Sequence, residues 1–453
     1  GNNPAADNAE ITAVASGTLP NGKPVIVNAD GTVSVVVEAS FTESIPAGSE
    51  YVFNSASTGY ISASFDPNTA GKFVVAYRDE GNSNYGTAIV GTVSGTSISF
   101  GSEYVFISGG ADYISASFDP NTTGTFIVAF KNNANNYGTA VVGTVSGTSI
   151  SFGSTYIFNA GTTATISAAF DPNTAGKFVV AYKDNGNNNY GTAIVGTVSG
   201  TAISFGSEYV FKSVNVGYIS MSADPNTAGK FVVAYQDSSN SYSGAAVVGT
   251  VSGTAITFGT ESVFNNGITG FISVAFDPNE TGKFVVAYRD QGNAYQGTAN
   301  VGTVSGTSVS FGSKKVFNTN YTSSVSVAFD HNTVGKFVVA YQDMSNTYGT
   351  VNVGAVSGTT ITFGSKIVFN SGVDTILISA SFDPNSTGKF VVAYQDGGNS
   401  YYGTSILGQI AATTTTLTAE NFIGFANGAA ADTGRARVQI GSGINGAQSS
   451  LTA

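Results

Sequence analysis

From about residue 60 to residue 410 the chain alternates short apolar runs with polar turns at a fixed beat. The clearest unit is Phe170-Asp171-Pro172-Asn173-Thr174-Ala175-Gly176-Lys177-Phe178-Val179-Val180-Ala181-Tyr182. The flanking stretches have strand length and are rich in β-branched and aromatic residues, so the unit predicts a β-hairpin. Pro172 presets φ at a turn position, the Asp171 side chain can accept backbone N–H groups further round the turn, and Gly176 supplies a dihedral that other residues resist. The same turn begins at Asp66, Asp119, Asp171, Asp224, Asp277, Asp330 and Asp383, in steps of 52 or 53 residues.

The third copy serves as template. Strands are predicted over Thr165–Phe170, Lys177–Tyr182, Tyr190–Val198 and Ala202–Phe211, the last interrupted at Gly206. Four antiparallel strands per ~50 residues, repeated seven times, predict an all-β fold: a seven-bladed β-propeller of four-stranded blades. An open solenoid is the other architecture with such a period. The ends of the array favour closure. Gly48 to Phe53 matches Gly101 to Phe106, so Phe41–Phe53 is a fourth strand with no preceding three, while residues 376–410 supply three strands with no fourth. The N-terminal strand is expected to complete the last blade and leave no unpaired inner edge. First strands such as Ile61-Ser62-Ala63-Ser64-Phe65 predict a narrow, packed centre with no deep axial pocket.

Three domains follow: an N-terminal β appendage (1–40), the propeller (41–412) and a small C-terminal β module (413–453). Within the appendage, strands are expected at Ile11–Ala15, Pro24–Val27 and Thr32–Val37, the last two joined through an Asp30-Gly31 turn. Arg435–Ile440 reads as a strand of the C-terminal module, which no stop signal closes at Ala453. No apolar run approaches the ~20 residues that span a bilayer, so no membrane insertion is expected. Gly1 opens no basic-then-apolar leader, so any targeting segment is expected to be absent or already removed.

Composition narrows the function classes. With 57 glycines and only 10% charged residues, the chain suits short strands and tight turns better than helices. A net charge of −11 with no basic patch argues against a nucleic-acid partner. There is no cysteine, hence neither disulfides nor thiolate metal sites, which is compatible with an extracellular protein.

Propeller geometry puts the Asp-Pro-Asn and Val-Ser-Gly-Thr turns, nearly unchanged from copy to copy, on one face. The other face carries the loops that differ, among them the crossovers 54–59, 107–112 and 212–217. Variation confined to one face suits a binding surface on a rigid scaffold; drift at tolerant loop tips produces the same pattern. That face is predicted to hold Tyr85, Tyr137, Tyr190, Tyr242, Tyr295, Tyr348 and Tyr402 at or near the start of each third strand, with Tyr60, Tyr113, Tyr218 and Phe271 before four first strands. Aromatic faces beside polar side chains suit a sugar ring and its hydroxyls. The candidate ligand contacts are Tyr60, Tyr113, Tyr218, Phe271, Tyr85, Tyr190, Tyr295 and Tyr402, with the loop aspartates Asp79, Asp184, Asp290 and Asp396. A Tyr that recurs in all seven copies favours packing between blades, so the crossover aromatics, present in only some copies, are the stronger ligand candidates.

No catalytic set is visible. The sole histidine, His331, replaces proline in one turn, and without cysteine or a second histidine there is no Ser–His–Asp, Cys–His or zinc constellation. Loop aspartates leave room for a carboxylate pair, but Asn132 breaks the series and no blade has a distinct acidic insertion. The loops lack the spaced Asp series of a calcium loop. No enzyme activity, metal or cofactor is expected.

The hairpin FDPNTAGKFVVAY resembles the first two strands of bacterial surface-type propeller blades. The longer pattern through NYGTAIVGTVSGTSISFGSEYVF resembles repeats in structural proteins of marine bacteriophages. SGTLPNGKPVIVNADGTVS and LTAENFIGFANGAAADTGRARVQIGSG are similar to modules of cyanophage-like tail-fibre or appendage proteins. The resemblance implies a virion appendage or extracellular-surface protein, held to other virion or surface-assembly proteins through residues 1–40 and 413–453, with a cell-surface glycan as its ligand. A decoration or spacer protein that binds only protein, and a secreted bacterial adhesin, fit the same features.

Overall fold

The computed structural model describes residues 10–15, 24–27, 32–35, 49–372, 374–410, 422–426 and 435–439. The chain divides into two units, residues 1–42 with 411–453, and residues 43–410.

The first unit holds a five-stranded antiparallel sheet in the order Glu10–Val14, Arg435–Gln439, Phe422–Ala426, Pro24–Val27, Val33–Val35. Glu10 pairs with Gln439, and Pro24 with Phe425. The two ends, expected as separate modules over 1–40 and 413–453, are thus halves of one sheet. Each end alone supplies only two or three strands, a size that is marginal in isolation, and pairing removes the problem. The Asp30-Gly31 turn and residues 41–48 of the expected closing strand lie outside the described residues.

In the second unit one antiparallel strand set recurs seven times. In the third copy, Phe170 pairs with Phe178, Val179 with Val195 and Ala193 with Tyr209, which joins four strands in chain order. The second strand is the centre of each set. Its alternate residues face opposite sides, yet Phe73 to Tyr77 are all fully buried, which is why this stretch is a continuous apolar run with no alternation. The third strand answers with glycine: a Cβ on Gly91 would lie 2.1 Å from Phe73 Cζ. In the seventh copy, Tyr402, Gly403 and Thr404 pair with Ser57, Asn54 and Val52 of the N-terminal strand Tyr51–Phe65. That strand also opens the first copy.

One expectation changes. The crossovers 54–59, 107–112 and 212–217 were read as loops, but they are extended. Ser97–Phe118, Ser149–Phe170 and Ala202–Ala223 are single 22-residue strands, each closing one sheet and opening the next. In the fourth copy the path breaks into Ala255–Phe258, Ser262–Asn265 and Thr269–Phe276.

Successive copies are held by apolar clusters that each draw on two neighbours, such as Ile127 and Val142 with Phe178 and Val180. One cluster joins Val391 and Ala393 of the seventh copy to Phe73 and Val75 of the first. First strands are linked through serines. Ser62 Oγ accepts the Ala116 N–H at 3.0 Å, Ser115 that of Ala168, and Ser167 that of Met221. Ser220, Ser273 and Ser326 continue the series, and Ser379 accepts from Ala63. Each hydroxyl serves a part-buried backbone donor that has no ladder partner on that side.

The Asp-Pro-Asn turns add a second series. Asp171 Oδ1 accepts the Asn173 N–H at 3.0 Å, as the sequence predicts, and Gly176 has φ +68°. The other oxygen, Oδ2, accepts the Gly229 N–H of the next copy at 3.0 Å, and Asn173 Nδ2 donates to the Pro225 carbonyl at 3.2 Å.

Candidate functional site

At one end of the strand sets, the loop after each second strand folds over the crossover that precedes its own first strand. The Glu80 N–H donates to the Ser57 carbonyl at 2.9 Å, and the Asn133 N–H to that of Gly110 at 2.8 Å. The loop aspartates fasten this arrangement. Asp79 Oδ1 accepts from the Gly81 N–H at 3.0 Å and from Asn54 Nδ2 at 3.2 Å, and Asp396 Oδ1 accepts from Gly398 and from Asn370 Nδ2, both at 3.0 Å. Asp184 caps Asn187, and Asp290 receives Lys314 at 3.2 Å. All four proposed ligand contacts among the aspartates are buried. Their oxygens close the loops from inside and are not displayed to solvent.

The crossover aromatics sit in a recurring local strain. Tyr60, Tyr113, Thr165, Tyr218, Phe271, Ser324 and Leu377 occupy the same position in the seven copies, and all are left-handed, with φ between +44° and +52°. Each lies where the pairing of first and second strands slips, between Gly59 and Ser62 in the first copy. Such a bulge re-aims a side chain, and for a non-glycine residue the left-handed conformation costs about 1–2 kcal/mol. Because seven different sequences accept it, the strain belongs to the scaffold and the side chain is free to vary. Where aromatics fall on consecutive copies they touch: Tyr60 and Tyr113 have ring centroids 5.3 Å apart, Tyr218 and Phe271 5.5 Å.

Beside this series the second strands present Arg78, Lys131, Lys183, Gln236, Arg289, Gln342 and Gln395. The Arg78 guanidinium lies 4.8 Å from the Tyr60 ring centre, and Lys131 lies 5.7 Å from that of Tyr113. Asp112 bridges the two cations, at 2.6 Å from Arg78 Nη1 and 3.1 Å from Lys131, and Arg78 also pairs with Glu80. Burial alone would raise both carboxyls. Hydrogen bonds from Ser57 and Arg78 hold Glu80 below its ordinary range, and those from Asn133, Lys131 and Arg78 do the same for Asp112.

The tyrosines expected at the third strand divide into two groups. Tyr85, Tyr137, Tyr190, Tyr348 and Tyr402 open their strands and are half-buried. Tyr242 and Tyr295 lie one position earlier, on the turn, with φ +59° and +61°. Tyr401, at φ +63°, shares that turn position and is as exposed as those two. The adjacent pair Tyr401-Tyr402 is the sequence signal that two distinct positions exist. Tyr321, which occurs at its position in one copy only, and Arg289, whose neutralising partners lie a copy away, carry no signal in the repeat pattern.

At the opposite end, where the first strands predict a narrow, packed centre with no deep pocket, lies a cavity of about 360 Å³. Phe65, Phe118, Phe170, Phe276, Phe329 and Phe382 line it, with Ala223 in the fourth copy. The rings do not fill the centre because each packs outward on a second-strand phenylalanine, as Phe65 does on Phe73 at 5.2 Å. His331 stands at the rim where other copies have proline. Among the described residues no group of three or more histidine, aspartate or glutamate side chains is placed to hold a metal.

No protein-family profile matches the sequence, and no curated protein does. Solved structures do. The BP39L lectin from Burkholderia pseudomallei is similar at a TM-score of 0.55 and 11% identity, over 77% of this chain and 94% of that one. AofleA from Arthrobotrys oligospora is similar at 0.44 and 11%, over 71% and 91%. A protein of unknown function from Dyadobacter fermentans is similar at 0.48 and 14%, over 82% and 98%. The likeness to the lectin is one of fold: a repeat, all-β, propeller-like architecture.

Proposed function

We propose that the seven strand sets form a closed seven-bladed β-propeller, and that the protein is a non-enzymatic glycan-binding protein. The serine series returning from Ser379 to Ala63 supports closure. The observation that carries the binding reading is the row of strained crossover positions, where Tyr60, Tyr113, Tyr218 and Phe271 stand beside cationic and amide side chains. A flat apolar ring next to polar groups is the composition a sugar needs. The fold likeness to a lectin agrees with it. The loop aspartates that a glycosidase would use are engaged as buried loop caps, which favours binding over cleavage.

A glycan array probed with the whole chain tests this reading. Binding is expected, and Tyr113→Ala, Tyr218→Ala and Phe271→Ala together should abolish it. Absence of any glycan signal favours instead a spacer that contacts protein only. We further propose display on a virion appendage or another extracellular surface through the sheet formed by the two chain ends. Its support is the resemblance of those segments to cyanophage appendage modules.

A further inference from the structure

We propose that the junction between the fifth and sixth copies is a binding site for the carboxylate of an acidic sugar, with Arg289 as its anion-binding residue. The inference rests on the glycan-binding reading above and names the class of glycan.

Four copies place a cation at this second-strand position, and they differ in what neutralises it. Arg78 has Glu80 and Asp112, and Lys131 has Asp112. Lys183 makes no ion pair among the described residues but is half-exposed to water. Arg289 is only 8% exposed, and among the described residues it makes no ion pair. Burying a cation without a counter-charge is costly. Here aromatic faces reduce the cost: the guanidinium carbon lies 4.6 Å from the Phe271 ring centre, 5.2 Å from Tyr321 and 5.6 Å from Tyr295. Nη1 donates to the Tyr321 hydroxyl at 3.0 Å, while Nε, like that of Arg78, has no hydrogen-bond partner among the described residues.

The first junction shows what this position is shaped to receive. There the crossover of the second copy supplies Asp112 to Arg78, and the loop of the first copy supplies Glu80. The equivalent residues around Arg289 are Ser323 and Gln291, so both internal carboxylates are missing where the cation remains. Tyr295 and Tyr321 stack beside it, centroids 4.7 Å apart and planes at 21°, and are 41% and 40% exposed. No other copy has this pair. A carboxylate-bearing ring therefore meets a cation for its charge and an exposed aromatic face for its body.

The test uses substitutions that the chain already contains elsewhere, so the scaffold accepts them. Ser323→Asp reproduces Asp112 and should occupy Arg289 from within. Arg289→Gln reproduces Gln236, Gln342 and Gln395. The whole chain is applied to an array of uronate- and sialate-terminated glycans printed beside their methyl esters. Acidic glycans are expected to bind, the esters to bind about tenfold or more weaker, and either substitution to impose the same loss. Neutral-glycan binding at other copies should persist. Binding indifferent to esterification, or unchanged by Ser323→Asp, overturns this inference and leaves the glycan-binding reading standing. No signal from any glycan overturns both. Inhibition by free acetate as strong as by glucuronate overturns the sugar part of the assignment.

Discussion

The two ends of the strand sets obey different rules. At the turn end a single side chain serves two copies: Asp171 holds its own Asn173 through one oxygen and Gly229 of the next copy through the other. Any change there disturbs two neighbours at once, so the turn scarcely varies. At the loop end, by contrast, the same task is met by interchangeable pairs. The buried second-strand hydroxyls of Tyr77 and Tyr182 donate to Glu103 and Glu208 at 2.8 and 2.7 Å. In the fifth and sixth copies lysine replaces that glutamate, and Tyr288 and Tyr341 donate to Asn300 and Asn352, both at 2.8 Å. The freed Lys314 and Lys366 turn to Asp290 and Asp343. Monotony marks contacts shared between copies, and variety marks contacts that can be exchanged in pairs.

The largest expected effect breaks the shared kind. Asp171→Ala leaves the Asn173 and Gly229 donors without acceptors, and the loss should be about 3 kcal/mol by denaturant unfolding. A cost below about 1 kcal/mol would show that the turn is held by its backbone alone. A smaller effect sharpens the exchangeable kind. Tyr182→Phe should cost about 1 kcal/mol by the same measurement, by stranding Glu208. Adding Glu208→Thr should recover most of it, because the second copy already pairs Phe130 with Thr155. Lack of recovery in the double variant would mean that the pairing does not explain the variation.

The smallest effect is a pH dependence of opposite sign at the two ends. Burial by itself would raise the Asp343 carboxyl, but Ser345, Lys366 and Asn320 hold it below its ordinary range. The stability it contributes is complete above about pH 4 and fades as the pH falls through its lowered value. At the turn end burial prevails over the N–H groups of Asn279 and Gly335, and Asp277 is raised. Its contribution is complete below the ordinary carboxylate range and is lost as the pH rises through the raised value. Thermal melting between pH 6 and pH 2.5 should therefore show an acid limb that Asp343→Asn flattens. An unchanged limb would assign acid sensitivity to other carboxylates.

Much of the fold could be read from residues near one another in the chain. The Asp171 cap and the left-handed Gly176 were legible because a turn is specified by a few adjacent dihedrals. The second strand, expected at Lys177–Tyr182, runs over Lys177–Asp184. The site was less legible. The sequence places Tyr295 with Tyr85 near the start of the third strand, yet Tyr85 opens that strand while Tyr295 sits on the turn before it, and tyrosine carries no signal for that conformation. Asp79 and Asp396 looked like displayed carboxylates, since a loop sequence does not tell which way its acid points.

Periodicity, turn chemistry and the split between an unvarying and a varied set of loops are local or statistical properties, and local dihedral preferences suffice to write them into the chain. Which crossovers stay extended, that the two chain ends share one sheet, and that Asp112 reaches Arg78 while no carboxylate among the described residues pairs with Arg289 depend on residues a copy or more apart. Those were decided only when packing brought them together, because burial and charge pairing act through space and leave no mark on the spacing of residues along the chain.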